Sequence, residues 1–343
     1  MAVNFDLPWD RATPTSAQLL PPGFTLRPAL WSDLEAVRRL IYDVCAPDGD
    51  AVIVPSPEEL RVEWQSPGFT LERDAWVVAA PDGRVVGFEE FNNRQAHASL
   101  DGDGYVHPDF LGKGIGTSLL RALEARARQE MTLAEPDLRV FLRNGMSMSN
   151  ADAVARQMHE NEGYKPVRYH WRMEINLTEP PPAPAWPGEV ELRAFRADPD
   201  SRSVYEAEQE AFQDGWSPQV VPFEAWQFRK QGRADFDPSL WFVAWDGDQV
   251  AGFNQCRYRN DIGWVGTLGV RRPWRKRGLG LALLTHAFGE FYRRGKTVVG
   301  LGVDASNPTG ATRLYKKAGM GVAGEYVIYE KELRPGRSLA EEA

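Results

Sequence analysis

The 343-residue sequence has little cysteine: two residues, Cys45 and Cys256. Set so far apart, they make neither a disulfide framework nor a metal-ligand pair, and are expected as core or near-surface thiols. Histidine is scarce as well, with five residues at no metal-binding spacing. No run approaches the roughly 20 apolar residues of a membrane span. The start, MAVNFDLPWDRATPTSAQLL, lacks the basic-then-apolar order of an export signal. A cytoplasmic protein with no membrane partner is expected. Positive charge is the minority sign, 40 Lys and Arg against 48 Asp and Glu, for a net charge of −8. That balance argues against bulk nucleic-acid binding. No G-x-G-x-x-G follows an early strand and no G-x-x-x-x-G-K-[ST] occurs, which removes the usual dinucleotide and phosphate-loop signatures.

What remains is 43% hydrophobic and 26% charged, ample for a globular core. The length suits two domains. Glu179 to Gly188, EPPPAPAWPG, contains five prolines and reads as a stiff linker. The expected division is an arm over 1–20, a first domain over 21–178, the linker over 179–188, a second domain over 189–334, and a frayed tail over 335–343.

The elements repeat across that linker. In the first copy, Phe24 to Leu30 is a strand. Ser32 and Glu35 form a capping box for a helix facing inward with Leu34, Val37, Leu40 and Ile41. A proline-interrupted stretch follows. Trp76 to Ala80 and Val85 to Phe91 flank the turn Pro81-Asp82-Gly83, and another strand ends near Val106. The turn His107 to Gly116 feeds a helix. Strand Leu138 to Leu142, helix Asn150 to Glu162 and strand Tyr169 to Leu177 close the copy. The second runs Val190–Phe195, helix Arg202–Phe212, Trp241–Trp245, Val250–Arg257, Trp264–Val270, a turn and helix, Val298–Val303, helix Pro308–Ala318, and Tyr326–Leu333. AWVVAAPDGRVVGF matches LWFVAWDGDQVAGF with Gly87 on Gly252, an offset of 165; Val106 on Val270 and Gly116 on Gly280 each give 164. Gly163 on Gly319 gives 156, so later loops differ in length. So long a period is domain duplication.

The most informative stretch is WVGTLGVRRPWRKRGLGLALL, Trp264 to Leu284. An apolar strand ends at Val270, a turn with five basic residues (Arg271, Arg272, Arg275, Lys276, Arg277) follows, and a helix opens at Leu279. Free N–H groups and the positive end of the helix dipole make such a turn an anion site. Gly278 and Gly280 let its backbone approach a ligand closely.

Arg275-Lys276-Arg277-Gly278-Leu279-Gly280, set after a strand ending in Val270, resembles the Q/R-x-x-G-x-G/A signature of the GCN5-related N-acetyltransferase family. The resemblance spans nearly the whole chain, twice over, in the manner of the tandem, mycothiol-synthase-like members. It implies an α/β (α+β) protein of two tandem folds, each a mixed, mostly antiparallel sheet flanked by helices. It also implies acetyl-CoA as cofactor, with cofactor contacts from Leu268, Gly269 and Val270 and from the six residues of the signature. In the downstream segment VDASNP, Asn307 matches the family's pantetheine contact; it is also placed to cap the next helix, with Pro308 at its first position. Tyr315 matches the general acid that protonates the leaving thiolate, and the Leu268 N–H matches the oxyanion donor.

The expected reaction is direct attack of a small-molecule primary amine on the thioester, by a monomer or homodimer. A non-catalytic acyl-CoA-binding module is the alternative. No Glu or Asp lies between Gly263 and Gly269, so the base is open; Asp214, Asp261 and Asp304 are expected as solvated or capping residues. Ala211–Trp216 and Pro222–Trp226 look like an acceptor loop, with domain packing as the alternative. In the first copy, Val106, Gly112, Lys113, Gly114, Ile115 and Gly116 keep the cradle, Leu111 stands where Arg275 does, and a surface His159 takes the place of Tyr315. That copy is expected to be structural or coenzyme-binding only.

Overall fold

The computed structural model describes residues 20–149, 152–188, 190–216, 221–233, 236–307 and 309–339. Almost all of the arm, together with Asn150, Pro308 and the last four residues, lies outside them.

In the first half of the chain the strands are β1 (Thr25–Pro28), β2 (Ala75–Ala79), β3 (Val85–Gln95), β4 (Ser99–Val106), β5 (Val140–Ser147) and β6 (Lys165–Asn176). The second half supplies β7 (Glu191–Ala194), β8 (Trp241–Asp246), β9 (Gln249–Arg259), β10 (Ile262–Val270), β11 (Val298–Asp304) and β12 (Gly321–Arg334). Helices α1 (Leu34–Cys45), α2 (Pro57–Trp64), α3 (Leu71–Asp74), α4 (Ile115–Met131) and α5 (Ala153–Asn161) belong to the first half. Helices α6 (Ala197–Phe212), α7 (Phe223–Gln231), α8 (Leu279–Arg293) and α9 (Ala311–Lys317) belong to the second.

All twelve strands join one sheet, ordered β1-β2-β3-β4-β5-β12-β6-β11-β10-β9-β8-β7. The duplication appears in the register itself. Val106 pairs with Gly87 in one half and Val270 with Gly252 in the other. Near the middle the halves exchange strands. β12 lies between β5 and β6, and β6 pairs with β11, so each half-sheet is completed by the other half of the chain. A buried ion pair holds this seam: Arg172 on β6 donates to Asp50 at 2.8 Å, and Tyr326 on β12 donates to the same carboxylate at 2.8 Å.

Apolar faces on both sides of the sheet explain the helix placement. Leu34, Val37, Leu40 and Ile41 of α1 pack with Leu60 and Trp64 of α2 against Val77 and Phe88. Ile115 and Leu119 of α4 pack on the other face against Val78, which alternates with Val77 in β2, and Val86, which sits at the bulge of β3. In the second half Leu279, Leu283, Ala287 and Phe291 of α8 do the same work over Val265, Val299 and Leu301.

Several local expectations change. Ser32 does not cap α1; Asp33 accepts from the Leu30 N–H at 2.8 Å and from Arg27, so a short 3₁₀ turn precedes the helix. The proline-rich stretch before Pro67 contains α2, where Ser56 and Glu59 form a capping box and Pro57 takes the first helical position. Pro222–Trp226 opens α7, and Trp226 is buried among Tyr205, Phe223 and Trp241, which is packing. The linker lies on the second half: Trp186 sits 5.9 Å from the His286 ring of α8. The tail is docked as far as it is described, Arg337 exchanging main-chain bonds with Asp137 and Arg139.

Candidate active site

β4 and β5 are parallel, as are β10 and β11, and both pairs come apart. β10 pairs with β11 only from Gly263 to Val265, and a bulge at Gly266 turns it away beyond that rung. Leu268 to Val270 therefore pair on the β9 side only. Alternation along an antiparallel strand decides which amides are free. The Arg271 N–H points at Ala251 of β9, and the Gly269 carbonyl lies toward Gly252. Leu268 and Val270 thus turn their peptide groups into the opening, while Gly269 faces its neighbour. Gly269 contributes closeness instead, because a Cβ there would meet the Phe253 ring at 2.4 to 3.0 Å.

The turn after Val270 is built for an anion. Lys276 (φ 62°) and Gly278 (φ 90°) adopt the left-handed conformation, and α8 starts with no side chain capping its first amides. The Leu279 side chain is buried, so its contribution to a ligand is its N–H. Gly280 allows α9 to approach, since a Cβ would stand 3.0 Å from Leu314.

Of the five basic residues, Arg271 is held by Glu210, and Arg272 and Arg275 are both held by Asp214 at 2.6 Å. Arg275 also donates to the Val270 carbonyl at 3.0 Å. Its role in this structure is to brace the turn against the end of α6. No ion pair of Lys276 or Arg277 is found among the described residues, so these two cations of the turn face no protein carboxylate there. Asp214 is thereby placed on the turn, where the two arginines hold its carboxyl down at about 2. Asp304 pairs with Arg168, and Asp261 is exposed beside Lys296.

Tyr315 lies on α9, which packs on α8 and β11, and is buried in the core of the second half. Burial pushes its phenol up to about 12, so it stays protonated at neutral pH and is able to donate. Asn307 does not cap that helix. It accepts from the Thr309 N–H at 2.8 Å and closes a turn, and Gly310 (φ 82°) precedes the first helical residue.

On the other side of β10, a cavity of about 240 Å³ is lined by Gln255, Gly266, Thr267 and Lys230. Lys230 donates to Gln255 at 2.8 Å and to Thr267 at 2.7 Å; Glu208 lies behind it, 3.4 Å from the ammonium. The wall next to Thr267 is therefore neutral and cationic.

In the first half the same parts recur with a different lining. β4 leaves β5 after the rung Gly102↔Asn144. Gly112 (φ 73°) and Gly114 (φ 77°) form the turn, and α4 begins uncapped with the Ile115 side chain buried. Gly116 keeps α5 close, a Cβ there standing 3.0 Å from the Met158 sulfur. Lys113 and Arg84 both lie against the Phe110 ring, at 5.0 and 4.8 Å. Val106, Leu111, Gly112, Gly114 and Gly116 line one cavity of about 550 Å³. His159 lines it too, buried instead of exposed: its Nδ1 is 2.9 Å from the Ala155 carbonyl, and burial lowers its pKa.

Sequence reasoning missed a carboxylate cluster in this half. Glu63 of α2, Glu90 of β3 and Asp103 of β4 line a second cavity of about 720 Å³, between the two halves. Enclosure by the cavity walls raises all three, to about 7, about 8 and about 6, and a carboxylate nearby pushes each further, although Glu63 and Asp103 are exposed to the solvent in the cavity and Glu90 is half-buried. Asp101-Gly102-Asp103-Gly104 in the strand before Val106 was the signal available. Trp216 closes the same cavity, its ring 4.2 Å from Arg143.

The acetyltransferase (GNAT) family profile matches residues 41–146 and 201–320, both halves and both turns. The chain belongs to the acetyltransferase (GNAT) family. A crystal structure of a GCN5-related N-acetyltransferase from Sphaerobacter thermophilus superposes with a TM-score of 0.79 at 39% identity, over 94% of this chain and 99% of that one. The mycothiol acetyltransferase of Catenulispora acidiphila is 26% identical, covering 87% of this chain and 95% of the relative. A tandem GNAT protein of the clavulanic acid pathway shares the fold, with a TM-score of 0.69 at 17% identity over 92% of this chain and 100% of that one. The chain is an acetyltransferase. Among the described residues no helix is long and apolar enough to cross a membrane.

Proposed function

We propose that the protein moves an acetyl group from acetyl-CoA to the primary amine of a small molecule, with one transfer centre in the second half. The observation that carries this is the opening between β10 and β11, which presents Leu268 and Val270 peptide groups beside an uncapped helix start. In this reading pantetheine lies in the opening as an added strand, and its phosphates meet the Gly278–Gly280 amides with Lys276 and Arg277. The amine attacks the thioester carbonyl carbon, and the Leu268 N–H receives the charge on the carbonyl oxygen. As the C–S bond breaks, Tyr315 gives its proton to the departing sulfur in concert with taking up the surplus proton of the attacking amine, which offsets the gap between the buried phenol and a thiol of ordinary pKa about 8.5. Asn307 flanks the arm at the end of β11.

Tyr315→Phe tests the assignment. Release of free thiol by this centre should fall about 100-fold or more while acetyl-CoA affinity by calorimetry holds steady. Unchanged turnover across pH 6 to 9, with every active amine, would remove Tyr315 from the chemistry. The relatives named mycothiol acetyltransferase make an aminosugar-derived amine one acceptor to include in the panel.

A further inference from the structure

The turn-side cavity of the first half and the cavity between the two halves lie on either side of β4 and share two lining residues, Asp103 and Gly145. These are also the first residues beyond the last paired rung, Gly102↔Asn144, one from each strand. The gap in the sheet is therefore where the cavities meet. The cavity on the turn side has further unsatisfied capacity: Glu89 Oε1, Asn144 Oδ1 and His159 Nε2 have no hydrogen-bond partner. All three side chains line it and are 4 to 5% exposed. Buried polar atoms are paired in most native proteins, and three orphans around one cavity point to a polar ligand that fills it. His159 stands at the place of Tyr315 by the repeat offset of 156.

We infer that the first half is itself a transfer centre, holding acyl-CoA in the turn-side cavity and passing the acyl group through the β4/β5 gap to an amine seated against Glu63, Glu90 and Asp103. The inference rests on the reading of the chain as an acetyl-CoA and amine enzyme, and adds a second site to it. Here the counterparts of Asn254, Gln255 and Thr267 are Glu89, Glu90 and Asp103, so the wall that is neutral in one half is acidic in the other. An arriving ammonium gives one proton to the carboxylate cluster. The neutral amine then attacks the thioester carbon, forming the C–N bond. The C–S bond breaks with its electron pair going to sulfur, and the surplus amine proton ends on the thiolate. The Gly104 amide, facing the gap as Leu268 does, meets the oxyanion.

The groups around Asp103 set its ionisation. Tyr105 donates to it at 3.1 Å; Arg94 and Glu90 of β3, Asp101 of β4, Glu63 of α2 and Cys45 of α1 act on it, and Arg143 of β5 and Arg229 and Arg233 line the cavity around it. Carboxylates that hold protons until pH 6 to 8 become competent bases over that range, so this centre gains rate as pH rises through it.

The test uses the full chain, acetyl-CoA and a panel of primary amines, with thiol release read for wild type, Tyr315→Phe, Asp103→Asn and the double variant. Activity surviving Tyr315→Phe that increases between pH 6 and 8, and that falls about 100-fold on adding Asp103→Asn, supports the second centre. Leu111→Asp, an exposed change in the donor cavity, should remove the same activity and lower coenzyme stoichiometry from two to one, with the melting point unchanged. If Asp103→Asn and Leu111→Asp leave all turnover intact while Tyr315→Phe abolishes it, the inference is overturned and the reading of the second half stands. If no variant or wild type releases thiol with any amine, both fail together.

Discussion

Glu90 is a half-buried carboxyl with other carboxylates for company. Burial, then Glu63 and Asp103, lift it to about 8, against roughly 4.3 in an unfolded chain. Between those values the folded state holds the proton more tightly than the unfolded one, so stability falls as pH rises through that window. Glu90→Gln should shrink the loss of melting temperature between pH 5 and pH 8; an equal loss in both proteins would show that the carboxyl is not shifted. The contrast with Asp214 is instructive. There the same functional group, a carboxyl bridging two arginines, is held at about 2 and stays ionised at any ordinary pH. Neither state was legible in the sequence, because Glu90 meets Glu63 and Asp103 only across separate elements and Asp214 meets Arg272 and Arg275 from 58 and 61 positions away. The acids of Asp101-Gly102-Asp103-Gly104 were visible, but the part proposed for them rests on the gap beside them.

Strands and turns were legible where the pattern was local. The hairpin at Pro81-Asp82-Gly83, the left-handed glycines and the helical face of α8 all follow from periodicity and turn chemistry. Helix α2 shows the opposite case. Its capping box, Ser56 to Glu59 with Pro57 between, was written out in full but lay in a stretch dense with proline. Ser56→Ala should cost about 1 kcal/mol of stability by denaturant titration, and no loss would mean that tertiary packing alone holds α2. That helix positions two acids at once. Glu59 binds Arg233 and Arg257 of the other half at 2.8 and 2.9 Å, and Glu63 faces the cavity. Asn307 failed as a helix cap for a physical reason: an Asx turn and Gly310 intervene before α9 begins.

At the scale of the molecule, the repeat predicted two folds in tandem, and the family fold is present, but as one sheet of twelve strands. Long-range pairing of β12 with β5 could not be read from a repeat, since either copy's last strand fits either place. The exchange predicts that cutting the linker between 179 and 188 leaves the two pieces associated through β5-β12-β6-β11. They should co-elute in size-exclusion chromatography and melt in one calorimetric transition; two separate peaks would contradict the pairing. The same exchange dictates an order of events during synthesis. Chains emerge N-terminus first, so the first half leaves the ribosome with the β5 edge bare. That edge waits for β12, which follows β6 to β11 in the chain, and an open strand edge is a template for any other strand. The newborn protein is thus most exposed to mispairing with a neighbour on the same messenger during the interval in which its second half is being translated.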